Sequence, residues 1–132
     1  MRVSLSKSFR FEAAHWLPTF PEGHKCRRLH GHSFHIHVVV EGEVPEGSGY
    51  LMDFGTIKAA IGPVEDALDH RCLNDIEGLE NPTSEMLAKW IWDRLVGELP
   101  MLHEVQVQVT CTRSCCYRGT CGRRPAPDGP CR

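Results

Sequence analysis

Two long stretches of the chain alternate between apolar and polar residues. In residues 3 to 15 one parity is apolar apart from Lys7, and it holds Val3, Leu5, Phe9, Phe11 and Ala13. In residues 30 to 41 the apolar parity holds Phe34, Ile36, Val38 and Val40. Because a strand points successive side chains to opposite faces, both stretches predict strands with one buried face.

Further along, the turn-like PEGSG (45–49) precedes YLMDF (50–54), which we interpret as a third strand in a hairpin with the second. Helical spacing follows, with Thr56 as the predicted N-cap and apolar residues at Ile57, Ile61, Val64 and Leu68. NPTSEMLAKWIWDRL (81–95) predicts a second helix capped by Asn81 or Thr83, and EVQVQVTC (104–111) predicts a fourth strand. The expected fold is α+β, a four-stranded antiparallel sheet with two helices between strands 3 and 4.

Composition is consistent with one soluble domain. The chain has 132 residues, 41% of them hydrophobic and 24% charged, with a net charge of −2. No basic surplus indicates nucleic-acid binding, and no long apolar run indicates a signal peptide or a membrane span, so we expect a cytoplasmic protein with mostly reduced thiols. We expect the domain to cover 1–118, followed by a disordered Gly/Pro/Arg-rich tail over 119–132.

The histidines carry the first chemical signal. His30 and His32 share one face of the predicted strand and are separated by roughly 6–7 Å along its backbone, so both rings can reach one point. His15 lies at the end of the first strand, on its apolar parity. Three imidazoles with an open fourth position are typical of a catalytic zinc site. A single strand histidine is more often structural, but burying several without partners is costly. His35 and His37 point to the other face, where we expect a packing role.

Cys26 and the Asp69–His70 pair are candidates for proton transfer. Cys26 lies in the basic loop HKCRRLH (24–30), where basic neighbours favour the thiolate. It is a candidate nucleophile or general base, a fourth zinc ligand through the spacing C-x3-H-x-H, or an inert loop thiol. A histidine beside a carboxylate suits a proton relay, although a helix C-cap explains Asp69 and His70 equally well.

Several motifs together resemble one family. FEAAHWLP, KCRRLHGHSFHI, DFGTIK, LDHRCLND and NPTSEMLAKWIWDRL are similar to 6-pyruvoyl-tetrahydropterin synthases, and most to their bacterial 6-carboxy-tetrahydropterin synthase branch in queuosine biosynthesis. The resemblance spans residues 3 to about 118. It implies the tunnelling fold (T-fold), in which strands of several subunits form a barrel and two trimers stack into a homohexamer.

The resemblance also implies an activity and roles for residues. The substrate would be 7,8-dihydroneopterin triphosphate, and the products 6-carboxy-5,6,7,8-tetrahydropterin, acetaldehyde and triphosphate. Zn²⁺ would be bound by three histidines, His15, His30 and His32. Cys26 would be the general base, and Asp69 and His70 would relay protons from a neighbouring subunit. Lys25, Thr83 and Ser84 are candidate substrate contacts. Alternatives are a synthase that only eliminates triphosphate, and a zinc-bearing protein that binds pterins or purines without turnover.

Val109 departs from the family pattern. The family places a glutamate here, whose carboxylate accepts two hydrogen bonds from the pterin's amino group and ring N–H. From the alternation alone Val109 looks ordinary. Three explanations remain open: a variant deficient in the ring anchor, a paralogue with another ligand, or a substitute acceptor such as Glu85 or Glu104.

Overall fold

The computed structural model describes residues 1 to 119, which form one five-stranded sheet covered on one face by two α-helices. The strands are β1 (Arg2–His15), β2 (His30–Glu43), β3 (Arg71–Cys72), β4 (Leu102–Thr110) and β5 (Arg113–Tyr117). The helices are α1 (Phe54–Leu68) and α2 (Ser84–Leu95). The strand order across the sheet is β3-β1-β2-β4-β5.

The two alternating stretches form the centre of this sheet, as predicted. β1 and β2 pair antiparallel over their whole length, from Arg2 opposite Glu43 to His15 opposite His30. The apolar parity of both strands faces the helices, and Phe11, Phe34 and Ile36 are at most 2% exposed. The core therefore lies between the sheet and the helical layer, and the other sheet face carries the polar parity.

The predicted third strand is wrong. Residues 50 to 53 form no strand, and Phe54 already begins α1. Leu51 is 9% exposed and packs so closely on Gly42 that a Cβ there would lie 2.9 Å from it. The apolar residues of this segment thus close one end of the core with side chains, without strand pairing. The helix also begins earlier than predicted, because the Asp53 carboxylate, not Thr56, accepts the Gly55 N–H at 2.7 Å.

The sheet is mixed, with five strands instead of the predicted four antiparallel ones. β3 is only two residues long and pairs parallel to β1 at Ala13 and Ala14. β5 turns back after Cys111 and Thr112 and pairs antiparallel with β4. The second helix matches the prediction better: Thr83 is its N-cap, and its hydroxyl accepts the Met86 N–H at 3.1 Å.

The predicted tail begins at Gly119, and residues 120 to 132 lie outside the described part of the chain. Gly119 itself contacts the domain: its φ is +86°, and a Cβ there would lie 2.7 Å from the Trp92 ring. No helix formed by residues 1 to 119 is long and apolar enough to cross a membrane.

Candidate active site

Three histidines converge where β1 ends and β2 begins. His15 lies directly opposite His30 in the strand register, and His32 is two residues further on the same face. The ring centroids of His15 lie 4.6 Å from His30 and 5.2 Å from His32, and those of His30 and His32 are 5.0 Å apart. One nitrogen from each ring lies within 4.8 Å of the others, close enough to hold one metal ion.

Hydrogen bonds orient two of these rings for metal binding. His15 Nδ1 donates to the Pro82 carbonyl at 3.0 Å, and His30 Nδ1 donates to the Arg28 carbonyl at 2.6 Å. Because a carbonyl only accepts, each Nδ1 carries the proton and each Nε2 keeps a lone pair. His15 Nε2 is buried and has no hydrogen-bond partner. Such an uncompensated buried nitrogen fits a metal ligand with a carbonyl as its outer partner.

Two of these histidines, His15 and His32, are also held in the neutral form that metals bind. Burial lowers the pKa of His15 to about 4 against the upward effect of the Pro82 carbonyl, and the charges of His30 and His32 lower it by smaller amounts. Burial lowers the pKa of His32 as well, followed by the charges of His30 and Arg113. Near neutral pH these rings therefore offer lone pairs without first losing a proton.

The three histidines line a cavity of about 550 Å³. The walls come from the β1–β2 loop, the start of α2, the end of β4 and the start of β5. Cys26 lines the same cavity, and so do the candidate substrate contacts Lys25, Thr83, Ser84 and Val109. The structure thus brings together residues that are almost 100 positions apart in the chain.

Cys26 is held at the cavity by its own loop. It lies in a short 3₁₀ turn, its N–H donates to His24 Nδ1 at 3.1 Å, and its carbonyl accepts the Leu17 N–H at 3.0 Å. His24 thus caps the turn. Among the described residues, the group able to hold a metal contains the three histidines and not Cys26. The interpretation of Cys26 as a fourth ligand therefore gains no support.

Asp69 and His70 lie elsewhere in the protomer. Asp69 Oδ1 accepts the Glu12 N–H at 3.0 Å, its Oδ2 lies 2.9 Å from His70 Nδ1, and its backbone N–H caps α1. The Glu12 N–H and the His70 side chain lower the pKa of the Asp69 carboxyl, so it is ionised. His70 lines a second cavity of about 610 Å³ with Glu12 and Ser33, and His32 lines both this cavity and the histidine cavity. The pair is therefore both a helix cap and an ordered carboxylate–imidazole pair, outside the histidine cavity of its own protomer.

The two glutamates considered as substitutes for the acceptor missing at Val109 lie in different parts of the structure. Glu104 is on the polar sheet face and pairs with Arg118 at 3.2 Å, whereas Glu85 lines the histidine cavity. Sequence reasoning missed Arg113, which lines it too. The signal that could have identified Arg113 is its even spacing from Cys115 and Tyr117 on β5, but that strand was not predicted.

The other histidines and thiols are placed as follows. His35 and His37 lie on the polar sheet face opposite Gln108 and Gln106, as their parity predicted. Within the described residues, the free thiols are Cys26, Cys72, Cys111 and Cys115.

Comparison with known proteins places this geometry in context. A family model described as 6-pyruvoyl tetrahydropterin synthase matches residues 4–120. The 6-carboxy-5,6,7,8-tetrahydropterin synthase of Synechocystis sp. is 49% identical over 84% of this chain and 89% of its own length. The dihydroneopterin monophosphate aldolase of Pyrococcus furiosus is 43% identical over 76% of this chain and 81% of its own.

A solved structure shares the fold. The 6-pyruvoyl tetrahydropterin synthase of Caenorhabditis elegans superposes with a TM-score of 0.83 and 27% sequence identity. The match covers 91% of this chain and 97% of that one.

Proposed function

Because the chain belongs to the 6-pyruvoyl tetrahydropterin synthase family, we propose that it is a zinc-dependent lyase acting on 7,8-dihydroneopterin triphosphate. With one water, the reaction yields 6-carboxy-5,6,7,8-tetrahydropterin, acetaldehyde and triphosphate, a step in queuosine biosynthesis. The observation that carries the proposal is the single cavity, which joins the three histidines to Cys26 and to candidate contacts for both ends of the substrate.

His15, His30 and His32 are the proposed zinc ligands. Three imidazoles and no carboxylate in the group favour zinc over the oxygen-preferring Mg²⁺ or Ca²⁺. Bound there, zinc would supply Lewis acidity that polarises the hydroxyls of the substrate side chain. The Pro82 and Arg28 carbonyls keep two rings in the ligating tautomer.

Cys26 is the proposed general base. It lines the cavity together with the histidines, and its loop is fastened by the Leu17 N–H and by Arg27, which donates to the Phe20 carbonyl at 2.9 Å. The thiol is thereby kept beside the part of the cavity where a substrate hydroxyl or C–H would lose its proton. Lys25, next in sequence, is the proposed contact for the triphosphate.

Asp69 and His70 are proposed to act in the cavity of a second copy. Within residues 1 to 119 of a protomer, β1 pairs with β3 only at Ala13 and Ala14, which leaves most of its outer edge without a strand partner there. The outer edge of β5 also has no strand partner within residues 1 to 119. Strand pairing between such edges would build the homohexameric barrel that the family resemblance implies.

Mixing inactive variants tests this shared site. Cys26→Ala and His70→Ala are each expected to be inactive alone. If the site uses Cys26 of one copy and His70 of another, co-refolded mixtures regain activity in roughly a quarter of the sites. No recovery in a mixture of confirmed hetero-oligomers would place both residues in a site within one copy.

Glu85 is the proposed acceptor for the pterin's N–H groups, because it lies in the cavity while Glu104 does not. Val109 supplies only apolar contact in this cavity. This loss favours the second candidate function, a zinc-bearing protein that binds pterins without efficient turnover. The intact Cys26, Asp69 and His70 favour the lyase.

The deciding experiment is incubation of the zinc-loaded protein with dihydroneopterin triphosphate and identification of all products. Acetaldehyde with 6-carboxytetrahydropterin supports the lyase. Triphosphate release without acetaldehyde indicates the pyruvoyl-forming reaction. Tight binding with neither product identifies the binding protein, and Cys26→Ala serves as the matched inactive control.

A further inference from the structure

Arg113 occupies the wall of the histidine cavity beside Val109. The two residues are separated by the turn at Cys111 and Thr112, and Arg113 pairs with Thr110 in the β4–β5 register. Both Val109 and Arg113 line the cavity. The end of β4 and the start of β5 therefore present one apolar and one cationic side chain to a ligand.

The guanidinium of Arg113 is not engaged by the described part of the chain. No hydrogen bond or ion pair joins it to any residue between 1 and 119, in contrast to Arg2, Arg27 and Arg118, which are all engaged. Glu85, which lines the same cavity, is likewise not paired with it.

This wall can only donate hydrogen bonds. A guanidinium carries N–H donors and no acceptor, and valine offers neither. A ligand group that displaces water from Arg113 must therefore accept, since an unsatisfied guanidinium is costly to desolvate. With a glutamate at position 109, this wall would instead accept hydrogen bonds, and the ligand edge facing it would have to donate them.

Building on the proposed function, we propose that Arg113 is a specificity-determining residue that donates to the ring carbonyl oxygen of the bound heterocycle. Recognition of this edge of the ring is then divided between two side chains. Glu85 accepts from the amino and ring N–H groups, and Arg113 donates to the 4-oxo group. The cavity thus selects a heterocycle that has a carbonyl oxygen at this position over one that has an amino group there.

The test compares pterin with 2,4-diaminopteridine, in which an amino group replaces the carbonyl oxygen. Both are titrated by fluorescence into the zinc-loaded protein and its Arg113→Gln variant. The protein is expected to prefer pterin, and Arg113→Gln is expected to weaken pterin binding about tenfold while leaving the diamino compound unchanged. Lys58→Gln, which removes an exposed cation on α1 outside the cavity, is the matched control and should change neither affinity.

Arg113→Lys adds a second measurement that does not depend on loss of charge. It keeps the cation but not the planar fork of donors, so it should retain only part of the preference for pterin. An equal loss for both compounds in Arg113→Gln would overturn the proposal, and so would no loss. A loss seen only with dihydroneopterin triphosphate would also overturn it, because Arg113 would then bind the phosphates.

The outcomes are independent of the catalytic proposal. If the carbonyl preference depends on Arg113 but no acetaldehyde forms, only the lyase activity fails. If acetaldehyde forms and Arg113→Gln keeps the full preference for pterin, only the role of Arg113 fails.

Discussion

Val109→Glu is the substitution that probes the ring-binding wall most directly. The carboxylate it introduces would lie on the cavity side of β4, where Val109 is partly buried against the core. There it can accept two hydrogen bonds from the amino group and ring N–H of a pterin. We therefore expect tighter pterin binding.

The size of the effect follows from opposing contributions. Two charge-assisted hydrogen bonds contribute about 3–6 kcal/mol before costs. Partial desolvation of the new carboxylate, its competition with the ligand for Arg113 and its competition with Glu85 for the same N–H groups remove on the order of 1–3 kcal/mol. A net gain of about 2–3 kcal/mol remains, which corresponds to roughly 30- to 150-fold in the dissociation constant.

The assay is a fluorescence titration of pterin, with thermal unfolding as a check that the domain stays folded. Val109→Gln is the matched control: it has similar length and accepts hydrogen bonds but carries no charge, so it should gain less than tenfold. Unchanged affinity in Val109→Glu would refute the reasoning and would show that Glu85 alone accepts from the ring's N–H groups. A gain no larger than that of Val109→Gln would show that charge does not matter.

Three further predictions concern the thiol, the metal cluster and the end of the described domain. Cys26→Ala should keep stoichiometric zinc and lose turnover by about a hundredfold or more; zinc loss by metal analysis would instead make the thiol a ligand. In the metal-free protein, His15 has its pKa lowered from 6.5 to about 4, so the unfolded chain takes up the proton first. The free energy of unfolding should then fall by up to about 3 kcal/mol between pH 7 and pH 4, measured by urea denaturation. His15→Gln should flatten this dependence, and an equally steep curve would contradict the assignment. Gly119→Ala should cost about 2 kcal/mol or more, because it adds a clash with Trp92 to the strain at φ +86°, whereas Gly23→Ala, with the same φ and open space, should cost about 1 kcal/mol in the same measurement. Equal losses would mean that Trp92 yields easily.

Periodicity predicted the parts of the fold that bury one continuous face. The alternation in β1 and β2 was strong enough to place His15, His30 and His32 on the helix side, and their convergence follows from the strand register. The helices were found for the same reason, since their apolar spacing is regular. Parity also placed His35 and His37 on the opposite face correctly.

The errors arose where side chains or tertiary contacts override a short pattern. Leu51 is buried by packing on Gly42. The apolar pattern of its segment therefore resembled that of a strand, although the segment pairs with no strand. β3 pairs through only two residues, too few for any periodicity. Arg113 could not be placed in the cavity because β5 begins with two exposed polar residues and carries no clear alternation.

The backbone hydrogen bonds of Glu12 connect the Asp69–His70 pair to β1, the strand that ends in His15 of the histidine cluster. The Glu12 backbone N–H and carbonyl hold Asp69 and His70 respectively, and His70 adopts a φ of 58° while held there. Three residues later the same strand ends in His15. In an assembly where Asp69 and His70 act in the cavity of a neighbouring copy, the last residues of β1 would hold parts of two active sites. A shift of β1 that accommodates substrate in one centre would then move a proton relay in the next.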